Sequence, residues 1–276
     1  MGLIGIGRKI EPEILVEIVK EIMVKPNTTQ HYLQSILMKH RAGYFVLIDP
    51  DQHTVSSCAR LGELAEASGV DALLLGGSFL TTDLDPIAES LKKATSLPII
   101  LFPGSVLQLS RSADAILYLS LISGRNPHYL IGEQVRAAPL IRHMELDTIP
   151  TGYMLIEGGT TTSVSFMSGS APIPRDKLDI AWAHALAAQY MGMDLIYLEA
   201  GSGAKLAVPS EMISKIKDIL EISVIVGGGI RTPSIAAEKV NAGADFIVTG
   251  SIIERDPSLM RAFSDAIHWG IEENDS

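Results

Sequence analysis

The chain has 276 residues, 47% of them hydrophobic, with a formal net charge of −10 at pH 7 and a single cysteine. That length suits one (β/α)8 barrel of about 250 residues plus an extension, and the negative charge argues against a nucleic-acid or membrane surface built on bulk positive charge. Cys58 has no partner for an internal disulfide, so a reducing compartment is expected. The opening MGLIGIGRKI places its basic residues after the apolar ones, unlike a signal peptide, and Ile6 stands where a myristoylation signal wants Ser or Thr. No apolar run reaches the roughly 18 residues that a spanning helix needs. The expectation is a soluble, cytoplasmic protein.

In chain order, EPEILVEIVKEIM sets Ile14, Leu15, Ile18, Val19 and Ile22 on one helical face, and a second helix is expected over Thr28–His40, ended by Gly43. Both precede any strand, so 1–42 reads as a helical extension on a barrel spanning 43–270. The first strand, Tyr44–Ile48, closes in Asp49–Pro50–Asp51. A helix follows over Val55–Ala67, then a strand over Val70–Leu75 closed by Gly76–Gly77–Ser78. Next come a helix over Asp83–Thr95 and a strand over Leu97–Phe102, closed by Pro103–Gly104. The following SVLQLSRSADA is a poor helix, so the alternation weakens there. A fourth strand is expected over Ala115–Ser120, a long helix over Pro127–His143, and a fifth strand over Thr148–Ile156, ended by Glu157–Gly158–Gly159. The polar TTTSVSFMSGSAPIP reads as a loop leading to a helix over Asp176–Met191.

Three more units complete the chain. The apolar runs Leu195–Leu198, Val224–Val226 and Phe246–Val248 end in Gly201–Ser202–Gly203, Gly227–Gly228–Gly229 and Gly250–Ser251. Near-continuous apolar strands separated by helices require a parallel sheet covered on both faces, and eight of them favour a closed TIM barrel, modified at its third helix, over an open doubly wound sheet. Glycines at the carboxyl ends of its last strands let backbone N–H groups approach a phosphate closely. The same glycines also serve as plain tight turns.

At the front of the barrel, Asp49 and Ser78 fall at adjacent strand ends. A carboxylate beside a hydroxyl suits Mg2+ that also takes ligands from substrate phosphates. On spacing alone Asp49 reads equally as a cap for the turn at Pro50. Other chemistry has little support: the seven histidines are scattered without zinc spacing, and neither a P-loop nor a GxSxG elbow is present. Gly5 and Gly7 precede the first strand, and Lys177, Lys205 and Lys215 are poorly placed for a Schiff base.

The segments LIDPDQ, LLLGGS, FPGS, YLSLISGRNP, IPTGYMLIEGG, YLEAGSGA, VGGGIR and IVTGS occur in an order that resembles the geranylgeranylglyceryl phosphate synthases, from about Tyr44 to Ile253. These barrel prenyltransferases join a polyprenyl diphosphate to sn-glycerol 1-phosphate. The resemblance implies Mg2+ held at Asp49 and Ser78. It also implies glycerol phosphate held along Tyr197, Leu198, Glu199, Ala200, Gly201, Ser202 and Gly203, at Gly227, Gly228 and Gly229, and at Gly250 and Ser251. One branch of the family carries a phosphate-binding lysine two residues before the metal aspartate. Leu47 stands there, which places the chain with the other, often oligomeric branch and implies a dimer or hexamer. A weak third helix is a further family trait.

The chemistry implied is attack of a glycerol hydroxyl on an allylic carbon, with geranylgeranyl diphosphate as donor and diphosphate leaving. Glu199 would orient the hydroxyl and accept its proton, and Tyr197 would hydrogen-bond to phosphate or glycerol. A lipid product implies peripheral membrane contact for its release. Phe102, Leu119 and Leu121, at the third and fourth strand ends, are candidates for a tail trough, with a core role as the alternative. Also open are a longer prenyl donor, an isomerase or lyase acting on a phosphorylated sugar-like substrate, and a non-catalytic phosphate-binding scaffold.

Overall fold

The computed structural model describes residues 28–270, so the helix expected over Ile14–Ile22 lies outside the described residues. Eight parallel strands close on themselves in sequence order, β1 pairing with both β2 and β8. They are β1 Gly43–Ile48, β2 Ala72–Leu75, β3 Ile99–Leu101, β4 Ala115–Leu121, β5 Asp147–Leu155, β6 Leu195–Glu199, β7 Ser223–Gly227 and β8 Phe246–Thr249. The helices are α1 Thr28–Lys39, α2 Val55–Ala67, α3 Leu84–Ala94, α4 Glu133–Met144, α5 Ser163–Ser168, α6 Leu178–Tyr190, α7 Ser210–Lys217, α8 Pro233–Asn241, α9 Ser251–Arg255 and α10 Met260–His268.

Strand alternation sorts the side chains into two cores. Tyr44, Val46, Ile48, Leu73, Leu75, Ile196, Leu198, Val224 and Val226 pack against the helix layer. Phe45, Leu74, Ile100, Leu117, Ile149, Tyr153, Tyr197, Ile225, Phe246 and Val248 fill the barrel, where Phe45 and Phe246 stack with centroids 4.8 Å apart. The helix α1 plugs the amino end of that interior with Leu33 and Ile36, and is pinned there by Thr29 N donating to Asp147 Oδ2 at 3.0 Å.

The connection from β3 to β4 contains no helix, as its sequence implied. Strands two and three start later than expected for local reasons. Asp71 turns its carboxylate back to accept from Tyr44 N at 2.7 Å, and Pro98 has no N–H to give to a ladder. Two differences matter more. The long helix after β4 opens with a π turn, His128–Gly132, before regular geometry sets in. The polar segment expected as a loop contains α5, begun by a capping box between Thr162 and Ser165 and stopped by Gly169 at φ 61°.

Candidate functional site

The carboxyl ends of β6, β7 and β8 build one wall of an open cleft of about 350 Å³ at the top of the barrel. On β6, Tyr197 points inward with Leu195 and Tyr153, and Glu199 follows it one layer higher at 6% exposure. Burial pushes the Glu199 carboxyl up to about 7, against the opposing pull of the Gly201 N–H and the Tyr197 hydroxyl. Gly201 N donates to Glu199 Oε1 at 2.6 Å. The Tyr197 hydroxyl is buried beside that carboxylate and makes no well-aligned hydrogen bond, which leaves its donor unspent.

The glycines are required by close approach. A Cβ on Gly227 would lie 2.5 Å from the Tyr197 hydroxyl and 3.1 Å from Glu199 Oε2. Gly228, at φ +79°, would drive one into the Glu199 carboxylate and to 2.6 Å from Gly201 N. Gly203 differs: it has positive φ and nothing within 4 Å of its Cβ position, so it borders open space. Across that space Ser202 Oγ and Ser251 Oγ meet at 3.1 Å, and Gly250 leads into α9. The arrangement offers two hydroxyls and a ring of backbone groups to a small phosphate.

Of the residues expected along this wall, Leu198 and Ala200 face the helix layer. Their side chains are therefore turned away from the cleft, and only their backbone can meet a ligand. Tyr197, Glu199, Gly201, Ser202, Gly203, Gly228, Gly229, Gly250 and Ser251 all line the cleft, whereas Gly227 serves the packing of Tyr197 and Glu199.

Asp49 and Ser78 line the same cleft, on loops held together by Asp51, whose carboxylate accepts from Thr81 N at 3.0 Å and Thr82 N at 2.9 Å. Asp49 does cap the turn at Pro50, accepting from Asp51 N at 3.0 Å. The two sequence readings of this residue are thus compatible, since a carboxylate has a second oxygen to give. Burial raises its pKa, with the Asp51 charge adding to the effect, and Glu254, in the first turn of α9, accepts from the Asp49 backbone N–H and is itself raised by burial and by the Asp49 charge. Half-buried carboxylates beside a hydroxyl form a hard oxygen set short of positive charge, and that set fits Mg2+.

A second cavity, of about 110 Å³, continues from the cleft. Gly77, Ser78, Phe102, Tyr153 and Val164 border both spaces. Its walls are mostly apolar, including Val106, Leu109, Leu117, Leu119 and Leu121. Phe102 stacks on Tyr197 with centroids 5.2 Å apart and meets Tyr153 edge-on at 5.8 Å. The three expected trough residues are thus gathered on one cavity, with Leu121 buried and Phe102 and Leu119 half-buried.

Sequence reasoning missed Tyr153, Glu254, Arg231 and Arg255, all of which line the cleft or trough. For Arg231 and Glu254 a signal existed: each lies within four residues of a glycine turn that had been singled out. Tyr153 lies inside an apolar strand, where nothing marks an inward tyrosine as functional. Arg231 Nη2 donates to Ala204 O at 2.9 Å and so ties the β7 turn to the β6 turn.

The sequence profile of the PcrB family matches residues 35–267. A geranylgeranylglyceryl phosphate synthase from Chitinophaga pinensis is 45% identical over 226 residues, covering 82% of this chain and 90% of that protein. One from Methanosphaera stadtmanae is 42% identical over 243 residues, covering 87% and 99%. The crystal structure of (S)-3-O-geranylgeranylglyceryl phosphate synthase from Thermoplasma acidophilum, in complex with its substrate sn-glycerol-1-phosphate, superposes with a TM-score of 0.81. It is 39% identical and covers 86% of this chain and 98% of that one. An N-acetylmannosamine-6-phosphate 2-epimerase from Clostridium perfringens, at 16% identity and a TM-score of 0.54, shares the fold alone. With a profile match across the barrel and relatives above 40% identity over most of its length, the chain belongs to the PcrB family and, within it, to the geranylgeranylglyceryl phosphate synthases.

Proposed function

We propose that this protein forms an ether bond between sn-glycerol 1-phosphate and geranylgeranyl diphosphate, releasing diphosphate. One observation carries the reading: a polar, glycine-lined cleft above a buried carboxylate opens, past Phe102, into an apolar trough. The acceptor phosphate lies against the turns of Ser202–Gly203, Gly228–Gly229 and Gly250–Ser251. Its glycerol hydroxyl reaches down to Glu199 and Tyr197. As the new oxygen–carbon bond forms and the bond from carbon to diphosphate breaks, the Glu199 carboxylate takes the hydroxyl proton. A carboxylate with a pKa of about 7 is suited to that transfer near neutral pH.

Asp49 and Ser78, with Glu254 beside them, would hold Mg2+, which when bound supplies charge neutralisation for the leaving diphosphate. Arg231 and Arg255 add positive charge to the same cleft, where Leu47 offers none. The isomerase or lyase alternative finds little here, since β3 and β4 end in Phe102, Leu119 and Leu121 instead of acid and base groups.

No helix among the described residues is long and apolar enough to cross a membrane. A cytoplasmic location fits the unpaired Cys58. Exposed Ile131, Val135 and Leu140 on the π turn and α4, and Ile180 and Tyr190 on α6, support assembly into a dimer or hexamer through the barrel's side. The reaction is tested with radiolabelled sn-glycerol 1-phosphate and prenyl diphosphates of several lengths. Solvent-extractable label with the twenty-carbon donor is expected. Extraction only with longer donors would move the assignment to the longer chain, and none with any donor would defeat it.

A further inference from the structure

Around the top of the barrel stand apolar side chains that the transfer chemistry does not use. Leu107 is 88% exposed, Phe166 77% and Phe79 64%. They come from three separate connections, Phe79 after β2, Leu107 after β3 and Phe166 from α5 after β5. Each sits beside the site. Phe79 lines the cleft, Leu107 lies between the trough residues Val106 and Leu109, and Phe166 between Val164 and Met167. Apolar residues exposed singly are ordinary, but three on connections around one opening give that end of the barrel exposed apolar surface that water does not favour. Charge points the same way. The connections leaving the carboxyl ends of the eight strands hold seven Lys or Arg against eight Asp or Glu, although the chain as a whole carries −10. The anionic excess therefore lies elsewhere, and this face meets a lipid headgroup layer with little repulsion.

We infer that the rim carrying Phe79, Leu107 and Phe166 is a membrane-docking face. These side chains insert into the interfacial layer of a bilayer and hold the trough mouth against it. The inference rests on the prenyl-transfer reading, because a prenylated donor and an ether-lipid product both partition into lipid and must pass that mouth. It adds the surface and the mode of contact. Attachment is apolar, with no basic patch behind it, so it resists salt.

The test is flotation of the full chain with phosphatidylcholine vesicles, with and without an anionic lipid, for the unaltered protein and for Leu107→Ser, Phe166→Ser and the pair. Both side chains are exposed and outside the reacting machinery, so the variants are expected to melt with the parent and to turn over a short, water-soluble prenyl diphosphate at the parent's rate. The partition coefficient should fall about tenfold for each change and about a hundredfold for the pair. Binding of the unaltered protein should persist in roughly 0.5 M salt, where exposed charges are screened. Equal flotation of the double variant, failure of the parent to float, or release by salt would overturn the inference. So would a drop in oligomeric mass on light scattering, since the rim would then be a contact between copies of the chain. Parent protein that floats as described but makes no lipid product defeats the transfer reading alone, and the reverse outcome defeats docking alone.

Discussion

At the scale of single residues, Glu199 concentrates the chemistry of this site. Its carboxyl is pushed up to about 7 chiefly by burial, so the folded protein prefers it protonated relative to the unfolded chain. The resulting stability is fully present below about pH 4.5 and is lost as pH rises through 7, the same range in which the deprotonated base becomes available. Glu199→Gln should therefore unfold at a higher temperature than the parent at pH 8, gain less at pH 5, and lose turnover by a factor of about 10² or more. The parent's kcat/KM should climb through a limb near pH 7. An unchanged limb in a Glu199→Gln enzyme that still turns over would transfer the base role elsewhere. For Asp49 the readout is metal binding. Asp49→Asn should keep the parent's melting temperature without Mg2+ but lose most of the rise that Mg2+ produces with diphosphate present. An undiminished rise would remove Asp49 from the cation site.

At the scale of elements, the glycine turns after β6, β7 and β8 look interchangeable in the sequence, and the structure separates them. Gly228 has positive φ and no room, with Gly201 N 2.6 Å from its Cβ position. Gly228→Ala should cost about 1–2 kcal/mol in backbone conformation alone, before the clash, and is expected to fold poorly. Gly250 sits at φ −129°, with Leu47 Cβ at an ordinary 3.5 Å. Gly250→Ala should fold normally and raise KM for glycerol phosphate about tenfold, leaving KM for the prenyl donor within a factor of about two. Equal rises for both substrates would argue against a separate acceptor site. Phe102, between cleft and trough, provides the converse. Phe102→Ala should weaken binding of the twenty-carbon donor or favour a longer one, and an unaltered chain-length profile in a stable variant would take it out of the trough. The barrel was legible because near-continuous apolar runs, glycine stops and eight strand–helix repeats all depend on local composition. The extent of α5 and the π turn before α4 was not, since a capping box inside a polar stretch and an altered helical register leave little trace in hydrophobic periodicity. That Leu198 and Ala200 face the helix layer was equally hidden. The family motif runs through consecutive residues, whereas a strand shows alternate ones to opposite faces.

At the scale of the whole molecule, the site lies at one end of the barrel and the two ends of the described chain meet at the other. His268 of α10 sets Nε2 2.8 Å from Asp71 Oδ2, the same oxygen that takes Tyr44 N. Ser264 donates to Gly69 O, and Arg41 N to His268 O. His40, just past α1, stacks on His268 with centroids 4.0 Å apart, and Trp269 meets it edge-on at 4.9 Å. This clasp joins α1, α10, the start of β1 and the turn before β2, so its integrity bears on barrel closure as a whole. Burial depresses the pKa of His40, His268 and Lys39 depress it further, and Asp71 opposes them. A histidine depressed in the folded state contributes stability that is present above its ordinary value near 6.5 and is lost as pH falls below it. The sign is opposite to that of Glu199, so the two separate in a pH series. His40 Nδ1 is buried without a hydrogen-bond partner, so a phenyl ring can keep the stack without orphaning a neighbour. Urea midpoints followed by tryptophan fluorescence should fall for the parent between about pH 7 and 5, and fall less for His40→Phe. Parallel curves for the two proteins would show that acid weakens the barrel through other groups and that the clasp does not titrate.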